Sequence, residues 1–179
     1  MKRRSRGFTI VELAVVVAIL GVVLAIAVPS FRTFILNLQI RSMAEAVNNS
    51  LQTARAEAIR RNEPVQFNLA YVAGAYTNGW VVQSDAGVVL QQRNPGEGSV
   101  TVTLAVAPAA ATTVTFNGIG KVVTNADGSA SVNTINIDVP TSVLAATDSR
   151  DLQVRVLSGG LIKLCDPNIT SSSDVRYCP

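Results

Sequence analysis

The 179-residue chain contains no histidine. Without imidazole there is no histidine-based catalytic triad, no histidine metal ligand and no histidine pH switch within the chain. Cysteine is nearly absent as well. Cys165 and Cys178 are the two present, too few for a four-ligand zinc site. No Gly-x-Ser-x-Gly elbow or phosphate-binding glycine loop occurs, and no carboxylate cluster stands out. These absences argue against an enzyme, a metal site and a cofactor. Charged residues make up 15% and aromatics 5%, whereas hydrophobic residues reach 48%, which excludes a disordered chain. The formal charge of +3 invites a nucleic-acid reading, but its distribution weakens that. Lys2, Arg3, Arg4 and Arg6, four of the fifteen basic residues, lie in the first seven positions.

Behind this basic start, Phe8–Val28 is a run of 21 residues whose one charge is Glu12. As a helix it covers roughly 31 Å, about the thickness of the bilayer core. Basic residues ahead of an apolar span stay cytoplasmic, which sends the rest of the chain outward. A secretory signal has the same start, but a shorter apolar region of roughly 7–15 residues. The run here is long for cleavage after it, although Ala25 and Ala27 leave that route open. Glu12 needs an account, because a carboxylate within a membrane segment costs about 2.5–3.5 kcal/mol at the bilayer centre. A cut between Gly7 and Phe8 would create one, the α-amine of Phe8. Glu12 stands at i+4 from Phe8, on the same helix face.

Gly7-Phe8-Thr9-Ile10-Val11-Glu12-Leu13, after a basic leader and before an unbroken apolar run, resembles the type IV prepilin signature. The resemblance implies cleavage after Gly7 by a prepilin peptidase and N-methylation of Phe8. The apolar segment is then kept, first as an inner-membrane anchor and later as filament core. It further implies that Glu12 pairs with the N-terminal amine of a neighbouring subunit during assembly. Pro29 also fits, since pilin helices often carry a proline there. Removing residues 1–7 would take four basic side chains from fifteen, leaving eleven against twelve acidic. Bulk electrostatic capture of nucleic acid then loses its support, and a local patch is needed.

Beyond Pro29, Phe31, Phe34, Ile35, Leu38, Met43, Val47, Leu51, Ala54, Ala58 and Ile59 recur at steps of mostly three and four, one face of an amphipathic helix. The helix is expected to stop near Asn62, because Pro64 biases Glu63 away from helical angles. Short Val-, Ile- and Thr-rich segments follow. Strands are expected at Val65–Ala70, Gly79–Gln83, Val88–Arg93, Val100–Val106, Thr113–Phe116, Lys121–Val123, Thr134–Val139, Leu152–Leu157 and Leu161–Leu164. Asn78-Gly79, Asp85-Ala86-Gly87, Asn117-Gly118, Asp127-Gly128 and Gly159-Gly160 are the turn signals between them, and Pro108–Ala111 reads as a loop. With no crossover helices, pairing should be antiparallel.

This half resembles one branch of the pilin superfamily, the GspH/FimT-type minor pilins and pseudopilins. The carriers are the helix end Ala54–Asn62, the Gly79-Trp80-Val81-Val82 strand and the Thr115–Lys121 hairpin. The resemblance implies an α+β, type IV pilin-like fold. Residues 1–7 would be the leader, 8–28 the transmembrane and filament-core helix, 29–63 its amphipathic half, and 64–179 a β-rich head outside the cytoplasm. The helix would pack on an antiparallel sheet, and a disulfide would close a C-terminal loop. Read locally, Trp80 is a core residue, and Gly118 and Gly120 set the backbone.

Export places Cys165 and Cys178, with twelve residues between them, in an oxidising compartment, where a disulfide is expected. In the branch linked to DNA uptake the tail carries basic residues around the first cysteine and before the last. Lys163 and Arg176 match such positions, Leu161 stands where an arginine would be, and Asp166 and Asp174 add negative charge. Arg150 and Arg155 are the further candidates for contact with double-stranded DNA.

The residues and the resemblance together imply first a minor pilin, a structural subunit at or near the tip of a type IV pilus that promotes its assembly. The alternatives are a DNA-binding minor pilin for natural transformation and a type II secretion pseudopilin of the GspH type. The partners expected are other pilins through the N-terminal helix, the prepilin peptidase, the inner membrane and, in the second case, double-stranded DNA. The chain would be single-pass with its N-terminus cytoplasmic before cleavage, then pilus-borne or periplasmic.

Overall fold

The structure, a computed structural model, describes residues 9–72, 75–98 and 101–179. One helix, α1 (Ile10–Arg61), is followed by nine strands. The chain divides into two units, one ending at Ile35 and the other running from Leu36 to Pro179.

In the first unit α1 runs unbroken through Pro29. Proline removes one backbone donor, and the Thr33 hydroxyl donates to the Pro29 carbonyl at 3.3 Å. The aliphatic side chains from Ile10 to Val28 are exposed on every side of the helix. A helix apolar all round needs a membrane or other protein around it. By length and composition α1 can cross a bilayer.

In the second unit, Leu36, Ile40, Met43, Ala44, Val47, Leu51, Ala54 and Ala58 of α1 are buried. Each large aliphatic among them contributes about 1.5–3 kcal/mol of burial. This stripe corrects part of the expected face. Leu36 and Ile40 belong to it, whereas Leu38 and Ile59 are 45% and 48% exposed. Leu38 lies two residues past Leu36, about 200° around the helix, and so points away from the core. The helix ends in a Schellman arrangement. Asn62 takes a φ of 55°, its N–H donates to the Ile59 carbonyl, and the Glu63 N–H donates to the Ala58 carbonyl, both at 3.3 Å. Pro64 follows, as the sequence suggested.

The strands are β1 (Val65–Val72), β2 (Ala75–Ser84), β3 (Val89–Arg93), β4 (Thr103–Ala107), β5 (Thr113–Phe116), β6 (Val122–Val123), β7 (Thr134–Asp138), β8 (Leu152–Val156) and β9 (Ile162–Cys165). All nine were expected, and Val100 of the expected fourth strand lies outside the described residues. They form two antiparallel sheets rather than one, in the orders β3-β2-β1-β5-β6 and β4-β7-β8-β9. Short, twisted strands favour such a split over one wide sheet. Phe67, Trp80, Val82, Val114 and Phe116 of the first sheet and Ile135, Ile137, Val154 and Val156 of the second share one core with α1.

The Asn78-Gly79 turn expectation is wrong, because both residues lie inside β2. The register between β1 and β2 shifts here, from Leu69↔Trp80 to Tyr71↔Tyr76, so these residues take up a bulge. Gly79 is needed for close approach instead, since a Cβ there would lie 2.8 Å from the Pro95 ring. Trp80 is buried at 3% exposure, and its indole N–H donates to the Ser50 hydroxyl of α1 at 2.8 Å. The Arg93 guanidinium covers the ring 5.0 Å from its centroid.

Candidate functional site

Two regions carry the residues singled out by sequence. The first is the start of α1. Gly7 and Phe8 lie outside the described residues. Thr9 caps the helix: its hydroxyl accepts from the Glu12 N–H at 3.2 Å and its carbonyl from the Leu13 N–H at 3.1 Å. Sequence reasoning missed this role, although Thr9-x-x-Glu12 before an apolar run is the pattern of a capping box. Glu12 thus stands in the first turn, where the helix dipole favours a carboxylate. Its side chain has no hydrogen-bond or ion-pair partner among the described residues. The arrangement leaves an anionic group, set in an otherwise aliphatic helix, free to meet a cation.

The second region is the C-terminal part of the head. A disulfide joins Cys165 at the end of β9 to Cys178. The loop it closes is ordered from within. The Asp166 N–H donates to the Arg176 carbonyl at 2.8 Å, and the Asp174 carboxylate accepts from the Arg176 N–H at 2.8 Å. The Arg176 guanidinium also grips Asp174, with Nη2 3.1 Å from Oδ2. Hydrogen bonds from Arg176 hold the Asp174 carboxyl below the usual aspartate range.

The four basic candidates fall into two pairs. Arg155 on β8 and Lys163 on β9 stand directly opposite each other, on the sheet face away from the buried Val154 and Val156. Like charges placed so are mutually repulsive and favour a bridging anion. Arg150 and Arg176 share a groove of about 330 Å³ with Arg41 and Glu45 of α1, floored by Leu152, Leu164 and Cys165. Asn37 fixes its edge, donating to the Asp148 carbonyl at 2.9 Å and accepting from the Arg150 N–H at 2.8 Å. Arg41 and Asn37 were missed as members of this groove. Local periodicity reads both only as the polar side of the helix, and nothing in it shows that the tail comes to rest there.

Acidic groups temper this region. The Ser149 hydroxyl lies 3.0 Å from Asp138 and 2.6 Å from Asp151. Burial raises the Asp151 pKa, and the nearby Asp138 and Asp166 carboxylates add to the shift. No sequence pattern announced this grouping. Among the described residues, no cluster of acidic or cysteine side chains is arranged to hold a metal ion.

The profile of the family described as type II transport protein GspH matches residues 43–160, most of the head. The chain belongs to the GspH family. The prokaryotic N-terminal methylation motif matches residues 2–28, the basic start and the apolar run together. The chain is similar in fold to the type IV minor pilin FimU of Pseudomonas aeruginosa PAO1. That crystal structure covers 73% of this chain and 91% of its own, with a TM-score of 0.51 at 18% identity. Two forms of the type IV major fimbrial protein FimA of Dichelobacter nodosus match more locally. One is 35% identical over 66 residues, 35% of this chain, and the other 46% identical over 46 residues, 25% of it. These alignments span 41% and 30% of the FimA chains' own length. The chain is therefore a member of the GspH family that carries an N-terminal methylation motif and shares the fold of FimU.

Proposed function

We propose that this chain is a minor pilin of a type IV pilus, placed at or near the tip and promoting assembly. The observation that carries the proposal is Glu12, without a cationic partner among the described residues, at the head of a helix whose apolar side chains from Ile10 to Val28 are exposed all round. A prepilin peptidase would cut between Gly7 and Phe8, and Phe8 would be N-methylated. The Phe8 amine of one subunit would then meet Glu12 of the next, while the 8–28 segment leaves the inner membrane for the filament core. Before cleavage the chain is single-pass with its N-terminus cytoplasmic. Afterwards it is anchored in the inner membrane with a periplasmic head, then pilus-borne. A pseudopilin of a type II secretion system would use the same chemistry, and incorporation into a pilus separates the two. The test is Glu12→Ala in cells. Incorporation into sheared pili should be lost while the protein still accumulates in the membrane, and normal incorporation would refute the pairing.

A second reading has a specific observation behind it, the Arg155–Lys163 pair standing directly opposed on β8 and β9. Double-stranded DNA meeting this pair, with Arg150 and Arg176 as further candidates, would make two to four phosphate contacts. Because Asp174 engages Arg176, binding would be weak and would fall steeply with salt. A gel shift at low salt that disappears in Lys163→Ala plus Arg155→Ala supports this reading, and no shift at low salt removes it.

A further inference from the structure

Between Glu12 and Arg32 no residue of α1 carries a charge, and none does from Thr33 to Ile40. The two stand 20 positions apart. Along a helix that is about 30 Å, the thickness of the bilayer core. A span at 8–28 has the same length, but it leaves Phe31 and Phe34 beyond the hydrocarbon, 64% and 57% exposed on the helix. It also sinks Glu12 one turn, about 6 Å, inside the boundary. The helix runs on unbroken through Pro29, so nothing in the backbone ends the span at Val28. Sliding it by one turn brings Phe31 into the hydrocarbon and Phe34 to its edge. Glu12 then lies at the opposite boundary, where a carboxylate reaches water.

Arg32 is exposed, and its guanidinium has no hydrogen-bond or ion-pair partner among the described residues. Thr33 beside it is satisfied locally, by the Pro29 carbonyl. One turn below Arg32 the helix carries a shallow apolar trough lined by Leu24, Ala27, Val28, Ser30 and Phe31. The small Ala27 separates the larger Leu24 and Phe31. Val28 is four positions before Arg32, so trough and cation share a helix face. Helical side chains lean toward the helix N-terminus, here back toward the bilayer. A cation above an apolar channel matches a phosphate with an acyl chain attached.

We propose that Arg32 binds the phosphate of an anionic phospholipid whose acyl chain lies in the Leu24–Phe31 trough, and that this contact sets the depth of α1 in the membrane. The inference rests on the membrane-anchor part of the pilin reading and names the group that holds the helix at its level before assembly. The planar guanidinium can donate two parallel hydrogen bonds to one phosphate. A zwitterionic headgroup brings its own ammonium, which competes for that phosphate, so an anionic lipid is favoured. Leaving the bilayer then means giving up this lipid.

The experiment uses the full chain in nanodiscs of phosphatidylglycerol and phosphatidylcholine. Both cysteines are held in the disulfide, so Ile26→Cys offers one thiol for a nitroxide. Power saturation against oxygen and a water-soluble nickel chelate reads its depth. In Arg32→Leu the label should move about 5 Å, one helical turn, as the uncharged run lengthens toward Arg41. Arg32→Lys should hold it in place. In parallel, phosphatidylglycerol with a diazirine at the carbonyl end of its acyl chain is photolysed, and adducts are mapped by mass spectrometry. Adducts on residues 24–34 should fall about fivefold in Arg32→Leu, the scale of one basic residue at an anionic surface. They should fall also when the photolipid is phosphatidylcholine. Adducts on the basic residues 1–7 serve as the internal reference. Arg32 is exposed, so folding should survive, which circular dichroism checks. An unmoved label, an unchanged yield over 24–34, or equal yields there from the two lipids would overturn the proposal and leave the anchor standing. A chain that washes off the discs would count against the membrane anchor itself.

Discussion

Ser50→Ala removes one oxygen from a site that is almost fully buried. Ser50 is 1% exposed and Trp80 3%, and the 2.8 Å bond from indole Nε1 to Ser50 Oγ ties β2 to α1. Deleting the hydroxyl leaves the indole N–H in a dry setting without an acceptor. An orphaned buried donor costs about 1–3 kcal/mol. Trp80→Phe removes the donor as well as some packed volume, with its own cost of about 1–3 kcal/mol. In the double variant no donor is orphaned. Its destabilisation should therefore fall short of the sum of the single effects by about 1–2 kcal/mol. Urea unfolding of the head, residues 36–179, followed by far-ultraviolet circular dichroism measures all four corners of the cycle. Fluorescence would not serve, because Trp80 is the sole tryptophan. Additivity within about 0.5 kcal/mol would mean that the bond does not couple helix to sheet, and the reasoning would fail.

Cys165→Ser plus Cys178→Ser should lower stability by about 3 kcal/mol on the chain-entropy account of a loop this short, and proteolysis after Asp166 should speed up. An unchanged unfolding midpoint would show that the loop's own hydrogen bonds suffice. Glu57 has its pKa lowered to about 2, first by the hydrogen bond from Arg60 and then by that from Arg61. The folded state therefore binds this proton more weakly than the unfolded one, so the stabilisation is complete above about 4.5 and is lost as pH falls toward 2. Glu57→Gln should flatten the fall in stability over that window, and an unaltered acid limb would count against the pairing. Gly160 has a φ of +83° and no room for a Cβ against the Gly120 carbonyl. Gly160→Ala should cost about 2–4 kcal/mol in a thermal melt, combining backbone strain with overlap.

The strands were legible because Val, Ile and Thr recur between turn residues, and each short run could be read from its own composition. The end of α1 was legible because Pro64 acts on its immediate neighbour. What local pattern could not provide was phase and company. Apolar residues at 34, 35 and 38 continue the same three-and-four spacing as the buried stripe, yet the core begins at Leu36 and Ile40. Asn78-Gly79 has turn chemistry, but a bulge and the Pro95 ring claim it for a strand. The division into two sheets depends on pairings such as Val65↔Phe116, and the meeting of Arg41 with Arg150 and Arg176 on contacts between residues more than 100 positions apart. Arg176 stands in the sequence as a candidate for DNA contact, and its ion pair with Asp174 appears only once the tail is folded.

The central claim is that this chain is processed and assembled as a pilin. Its most direct test is mass spectrometry of the mature N-terminus, on protein recovered from cells that contain a prepilin peptidase. The account predicts a chain that begins at Phe8 with a methyl group on its α-amine. A chain that keeps residues 1–7, or one cut beyond Ala27, would contradict it.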